Sequence, residues 1–151
     1  MMDFHVAVQL HELGVVDRDL HAFLLDRFVE RSRAALAASR SVIQRLSVNY
    51  TIGVISNFYG NVGRLLDEAG FGPYLTVVID SQLVGVAKPE RGIFDRTVAA
   101  LGVDAGEALH VGDNWLRDVV AARDAGLYAA WLAPVAVSSS RSNRPAAIAR
   151  R

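Results

Sequence analysis

"HVGDNWLRDVVAARDAG" (residues 110–126) places two acids five positions apart, where a short apolar run gives way to a helical pattern. Asp113 ends the run "ALHVG", Asp118 lies one turn into the helical pattern, and Gly126 closes the stretch. A carboxylate at a strand's end can hold a metal or cap a helix, and its neighbours decide which. Upstream, "YTIGVIS" (50–56) is β-branched and continuously apolar, as expected of a strand buried on both faces. "GNVGRLLDEAG" (60–70) reads as a short helix stopped by Gly70, and "LTVVID" (75–80) as a second strand. "VGVAKP" crosses a loop to Pro89. A helix over about residues 90–101 then carries Ile93, Val98 and Leu101 on its inner face and ends at Gly102. "ALHVG" is the third strand, 116–125 a helix, and "LYAAWL" the fourth strand. Strand–helix alternation at this spacing predicts an α/β fold: a Rossmann-like, doubly wound parallel sheet with helices on both faces.

The first fifty residues carry another pattern. Leu20, Leu24 and Phe28 recur at i+4 within 17–36, with Phe23, Leu25 and Val29 beside them, a broad apolar helical stripe. Residues 41–46 read as a separate short helix leading into the first strand. "DFHVAVQL" (3–10) fits either period: Phe4, Val6, Val8 and Leu10 alternate like a strand, whereas Val6, Leu10 and Leu13 suit a helix ending at Gly14, the reading preferred here. After Pro134 the chain is small, polar and basic, and it is expected to be a flexible tail with at most a short strand at "VAV". The expected organisation is therefore a helical segment over 1–40, an α/β core over 41–133 and a tail over 134–151.

Sixteen acids balance sixteen bases in 151 residues, so no global field points to nucleic acid or an anionic membrane. With 52% apolar residues the chain can bury a real core. No cysteine is present, which excludes disulfides and thiolate chemistry. There is no membrane-length apolar run and no signal-peptide layout, so a cytoplasmic location is expected.

In a doubly wound sheet, functional polar groups collect beyond the carboxyl ends of the strands. Ser56 and Asn57 come after the first strand, Lys88 after the second, and Asp113 and Asn114 after the third, with Asp118 close by. Singly, each has a plain reading: turn residues, a solvated lysine, a helix cap and an acid favoured by the helix dipole. Together, a hydroxyl, an ammonium and a carboxylate pair suit a phosphoryl group held against Mg²⁺, which takes hard oxygen ligands and often only one or two carboxylates.

In that order, "VISN" (54–57), "VAKPERGIF" (86–94) and "HVGDNWLRDVVAARDAG" resemble the second, third and fourth motifs of the haloacid dehalogenase-like (HAD) hydrolase superfamily, over residues 50–132 and closest to phosphatase-type members with a helical cap. The resemblance implies that Ser56 binds phosphoryl oxygens with Asn57 beside it, and that Lys88 neutralises charge on nucleophile and phosphate. It implies Mg²⁺ at Asp113, with Asp118 holding the site directly or from behind. "GDN" resembles the metal-dependent phosphatase branch rather than the dehalogenases proper, which need no metal. The activity implied is hydrolysis of a small phosphorylated metabolite.

The family's first motif, an apolar strand ending in D-x-D that supplies the attacking aspartate, has no convincing counterpart. "VVDRDLH" (15–21) offers Asp17 and Asp19, but Leu20 and His21 depart from the pattern, and Asp17 as the cap of the next helix is the simpler reading. "LHELGVVDRDLHAFLLDRFVERSRAAL" (10–36) instead resembles the rear half of a helical cap, so the sequence is expected to begin inside a truncated cap and to be incomplete or inactive alone. By the family pattern the missing strand lies between those ending at Ser56 and Asp113. Direct pairing of those two strands, entry of residues 3–10, or a second copy would close the gap, and a homo-oligomer, such as a dimer, is expected. The alternative function is a non-catalytic HAD-like binding or assembly module.

Overall fold

The computed structural model describes residues 2–133. The expected tail and its "VAV" strand lie outside them. Helix α1 (Met2–Glu12) and helix α2 (Arg18–Leu46) form an antiparallel hairpin. The ambiguous residues 3–10 are thus helical. Gly14, at φ +69°, ends the helix, with the Gly14 N–H donating to His11 O and the Val15 N–H to Leu10 O. Asp17 caps α2, its Oδ1 accepting from the N–H groups of Asp19 and Leu20, both at 2.9 Å.

Two helices were expected where α2 runs unbroken for 29 residues, and the expected boundary at residue 40 falls inside it. "AALAASRSV" (34–42) contains no glycine or proline, and its alanines favour continuation, so no stop signal exists there. No residue of α2 is buried, and Phe23 remains 59% exposed.

The α/β part contains strands β1 (Gly53–Ser56), β2 (Val77–Asp80), β3 (Leu109–Gly112) and β4 (Tyr128–Trp131). Helix α3 (Val62–Glu68) joins β1 to β2; the one-turn α4 (Ser81–Val84) and α5 (Arg91–Leu101) lead to β3. A π-helical turn (Trp115–Val120) running into α6 (Ala121–Asp124) returns the chain to β4. The strands form two parallel pairs, β1 with β2 and β3 with β4, in separate sheets. Neither expected intramolecular closure occurs: β1 and β3 do not pair, and residues 3–10 lie within the helix α1, where Leu10 is buried.

Packing holds the two sheets together. Ile93 and Phe94 of α5 join Ala121, Ala122, Ala125 and Leu127 in one buried cluster, with Ile55, Ile79, Ala108 and Ala129 packed against it from β1, β2 and the β3–β4 side. The inner face of α5 is Ile93, Phe94 and Thr97, with Val98 and Leu101 half-buried beside them. Thr97 tolerates burial because its Oγ1 donates to Ile93 O at 2.7 Å. Among the described residues no helix is long and apolar enough to cross a membrane.

Candidate active site

Ser56 ends β1, and the loop after it is fixed by a carboxylate from the next strand. Asp80, paired with Ser56 at the end of β2, is 2% exposed. It accepts from the N–H groups of Gly60 (2.9 Å), Val62 (3.2 Å) and Gln82 (3.1 Å). Gly60 sits at φ +87°, a conformation glycine adopts without strain. One buried acid thus sets the turn after Ser56 and caps α4.

Asn57 reaches the loop after β2. Its Nδ2 donates to Lys88 O at 2.8 Å, and the Lys88 N–H donates to Asn57 Oδ1 at 2.9 Å. Both ends of the amide are therefore engaged with the backbone of Lys88, which is joined to Pro89 by a cis bond. That pair directs the lysine inward. The Lys88 Nζ donates to Ile55 O (3.3 Å) and to Asp118 Oδ1 (2.7 Å), reaching from β1 to the turn behind β3.

On the β3 side, the helix cap and the free acid are different residues. Asn114 is the N-cap, its Oδ1 accepting from the Arg117 N–H at 2.8 Å, while its own N–H donates to Asp118 Oδ2 at 2.9 Å. Asp118 is 4% exposed and lies tight against Gly112, where an added Cβ would come within 2.6 Å of Oδ2. Glycine is required there by close approach. Asp113 is exposed, and among the described residues no hydrogen bond or ion pair engages its carboxylate; its backbone O accepts from Trp131 Nε1 at 3.0 Å.

Burial alone would raise the Asp118 carboxyl. The Lys88 ammonium, the Asn114 N–H and a contact with His110 outweigh it and hold the group below the usual carboxylate range. His110 Nε2 lies 3.5 Å from Asp118 Oδ1, with its ring edge-on to Phe94. Burial, and after it repulsion from Lys88, lowers its pKa despite Asp118, so the imidazole is neutral at neutral pH.

Ser56, Asn57, Lys88, Asp113 and Asp118 all line one pocket of about 330 Å³, together with Ile55, Asn114 and Arg117. Asp17 and Asp19 are not among its walls; Asp17 is occupied as a cap. Sequence reasoning missed His110, Arg117 and Asp80. His110 was detectable by alternation, two residues before Gly112 on the same face of the strand. Arg117 carried no signal among ordinary surface arginines. Asp80, the last residue of an apolar run, was visible only as a strand end. Among the described residues no three His, Cys, Asp or Glu side chains gather as a metal cage.

The sequence profile of the haloacid dehalogenase-like hydrolases matches residues 6–126. The chain belongs to this family. The HAD-like chain is 31% identical over 121 residues to the phosphoglycolate phosphatase of Caulobacter vibrioides, covering 74% of this chain and 51% of that protein. It is 35% identical over 83 residues to the haloacid dehalogenase-like hydrolase domain-containing protein 3 of Xenopus laevis, covering 55% of this chain and 34% of that protein. It thus spans about half or less of these HAD-like relatives' length. The crystal structure of a HAD phosphatase from Thermococcus onnurineus superposes with a TM-score of 0.58 over 85% of this chain and 75% of that one, at 22% identity, and shares the fold.

Proposed function

We propose that this chain provides the phosphate- and metal-binding half of a site for Mg²⁺-dependent hydrolysis of a small phosphate monoester, and that alone it binds without turnover. One observation carries the reading: Ser56 at the end of β1, Lys88 in the loop before α5, and Asp113 and Asp118 after β3 line one pocket. The phosphoglycolate phosphatase relative supports the substrate class. The donor set suits Mg²⁺, which binds through few carboxylates and keeps several waters. Asp113, exposed and free, would hold the ion; Asp118, already paired with Lys88, would hold the assembly from behind. When bound, the ion supplies charge stabilisation to the phosphoryl oxygens. The Ser56 hydroxyl would donate to one of those oxygens. Lys88 has three donors and two partners, which leaves one for the substrate.

No turnover is expected because the free carboxylate in the pocket, Asp113, is the one assigned to the metal, and Asp118 is locked in its ion pair. The hairpin over α1 and α2 is assigned to the cap and the remainder to the core, in a cytoplasmic protein.

Calorimetric titration of inorganic phosphate tests the binding reading. Binding should require Mg²⁺ in the unmodified chain and lose that requirement, with at least about tenfold weaker affinity, in Asp113→Asn. Absence of Mg²⁺-dependent phosphate binding overturns the site. Release of p-nitrophenol from p-nitrophenyl phosphate, abolished in Asp113→Asn, overturns the expectation of no turnover.

The second reading, a non-catalytic assembly module, is favoured by the exposed apolar stripe of Phe23, Leu24 and Phe28 on α2. It predicts a homodimer by sedimentation that dissociates in Phe23→Lys; a monomeric unmodified chain would count against it.

A further inference from the structure

Asp113 stands one residue past the end of β3, where the ladder with β4 stops holding the backbone. Its neighbours are held on both sides. Gly112 O accepts from the Leu132 N–H at 2.8 Å, and the Asn114 N–H donates to Asp118 Oδ2 at 2.9 Å. Between them, the Asp113 carbonyl takes its hydrogen bond from a side chain: the indole N–H of Trp131, the last residue of β4, at 3.0 Å. Trp131 is paired in register with Gly112, so the indole reaches one residue beyond the ladder. Its ring stands edge-on to that of Trp115, the first residue of the π-helical turn, at 5.2 Å and 65°. With two side-chain torsions and a single donor, an indole is a stiff arm with one use.

Trp131 is 37% exposed, and an indole N–H with that access could bond to water instead. Exchanging water for Asp113 O therefore adds little to folding. What the contact does is orient the backbone of Asp113, whose carboxylate is the one in the pocket with no partner among the described residues. We propose that Trp131 is a positioning residue for the metal end of the pocket, presenting the Asp113 carboxylate to Mg²⁺ through the hydrogen bond to its carbonyl. The proposal rests on the phosphate- and metal-binding reading above. Mg²⁺ demands near-ideal octahedral geometry, so a carboxylate free to swing binds it more weakly than one held in place. Trp131 does not line the pocket itself and acts through Asp113.

Trp131→Phe keeps an aromatic ring beside Trp115 and removes the donor. Inorganic phosphate is titrated calorimetrically into the full chain at a series of Mg²⁺ concentrations. In the variant the Mg²⁺ midpoint should rise about tenfold, while phosphate affinity at saturating Mg²⁺ stays within about twofold of the unmodified chain. A purely structural tryptophan would lower the urea midpoint and leave the Mg²⁺ midpoint in place. Equal Mg²⁺ midpoints overturn this proposal alone. Absence of Mg²⁺-dependent phosphate binding in the unmodified chain overturns the site reading and the proposal together. A second readout keeps Trp131 in place. The chain has two tryptophans, so in Trp115→Phe all indole emission comes from Trp131. Mg²⁺ added in the presence of inorganic phosphate should change that emission saturably, and Asp113→Asn in the same chain should abolish the response. Emission that ignores Mg²⁺, or a response that survives Asp113→Asn, overturns the proposal.

Discussion

Lys88 and Asp118 show how strongly context sets the value of an ion pair. Their side chains are 14% and 5% exposed at 2.7 Å, whereas Arg27 and Glu30 on α2 pair at 3.3 Å with 59% and 68% exposed. The exposed pair is worth about 0–1 kcal/mol. Replacing Lys88 by Met leaves Asp118 charged, buried and unpaired, and should cost about 3–5 kcal/mol in urea unfolding. Arg27→Met should shift stability by less than about 1 kcal/mol. Equal losses would mean that the Lys88 pair is solvated. The histidine beside this pair gives a pH signature. Unfolded, the ring takes up a proton near 6.5; folded, burial and Lys88 depress that value. His110 therefore contributes stability that is complete above pH 6.5 and lost as pH falls through the lower folded value. Asp118 acts with the same sign further down, contributing above its ordinary 3.8 and losing that contribution below. Urea midpoints of the unmodified chain should fall from pH 6.5 toward the carboxylate range, with a flatter profile in His110→Gln. Superimposable profiles would remove His110 from this role.

At the scale of elements, legibility tracked local signals. Asp17 was readable as a cap because a short acid ahead of a long apolar stripe has a single local explanation, and both of its acceptor contacts exist. Asp17→Ala should lower stability by about 1 kcal/mol, since Asp19 and Leu20 N–H groups lose their acceptor. It should leave Mg²⁺-dependent phosphate binding unchanged; a loss of binding would restore Asp17 to the site. The first three strands were legible for the same reason, since each ends in an abrupt change from apolar to polar residues at Ser56, Asp80 and Asp113. The continuity of α2 was not, because an end is marked by glycine or proline and an absence of stops is a weak signal. Nor was the division of labour at 113–118, where Asn114 takes the cap and Asp118 the lysine. That depends on which side chain reaches which donor after the π-helical turn forms. Asp80 acts on N–H groups up to 20 positions away, a distance over which sequence pattern is silent.

For the molecule as a whole, the question is whether two sheets that share no ladder behave as one cooperative unit. Phe94 is the residue best placed to decide. It is fully buried, projects from the helix that packs on β1 and β2, and meets His110 of β3 edge-on at 5.2 Å. Its cluster contains the small residues of α6, which packs against β4. Phe94→Ala should cost about 3–5 kcal/mol, a large part of the roughly 5–15 kcal/mol available to a domain. If the core couples the sheets, the most protected amides of β1–β2 and β3–β4 should exchange with a common free energy in the unmodified chain and fall together in the variant. A fall confined to one pair would show two independent units that merely touch, and the pocket between their strand ends would then open and close with the weaker of them.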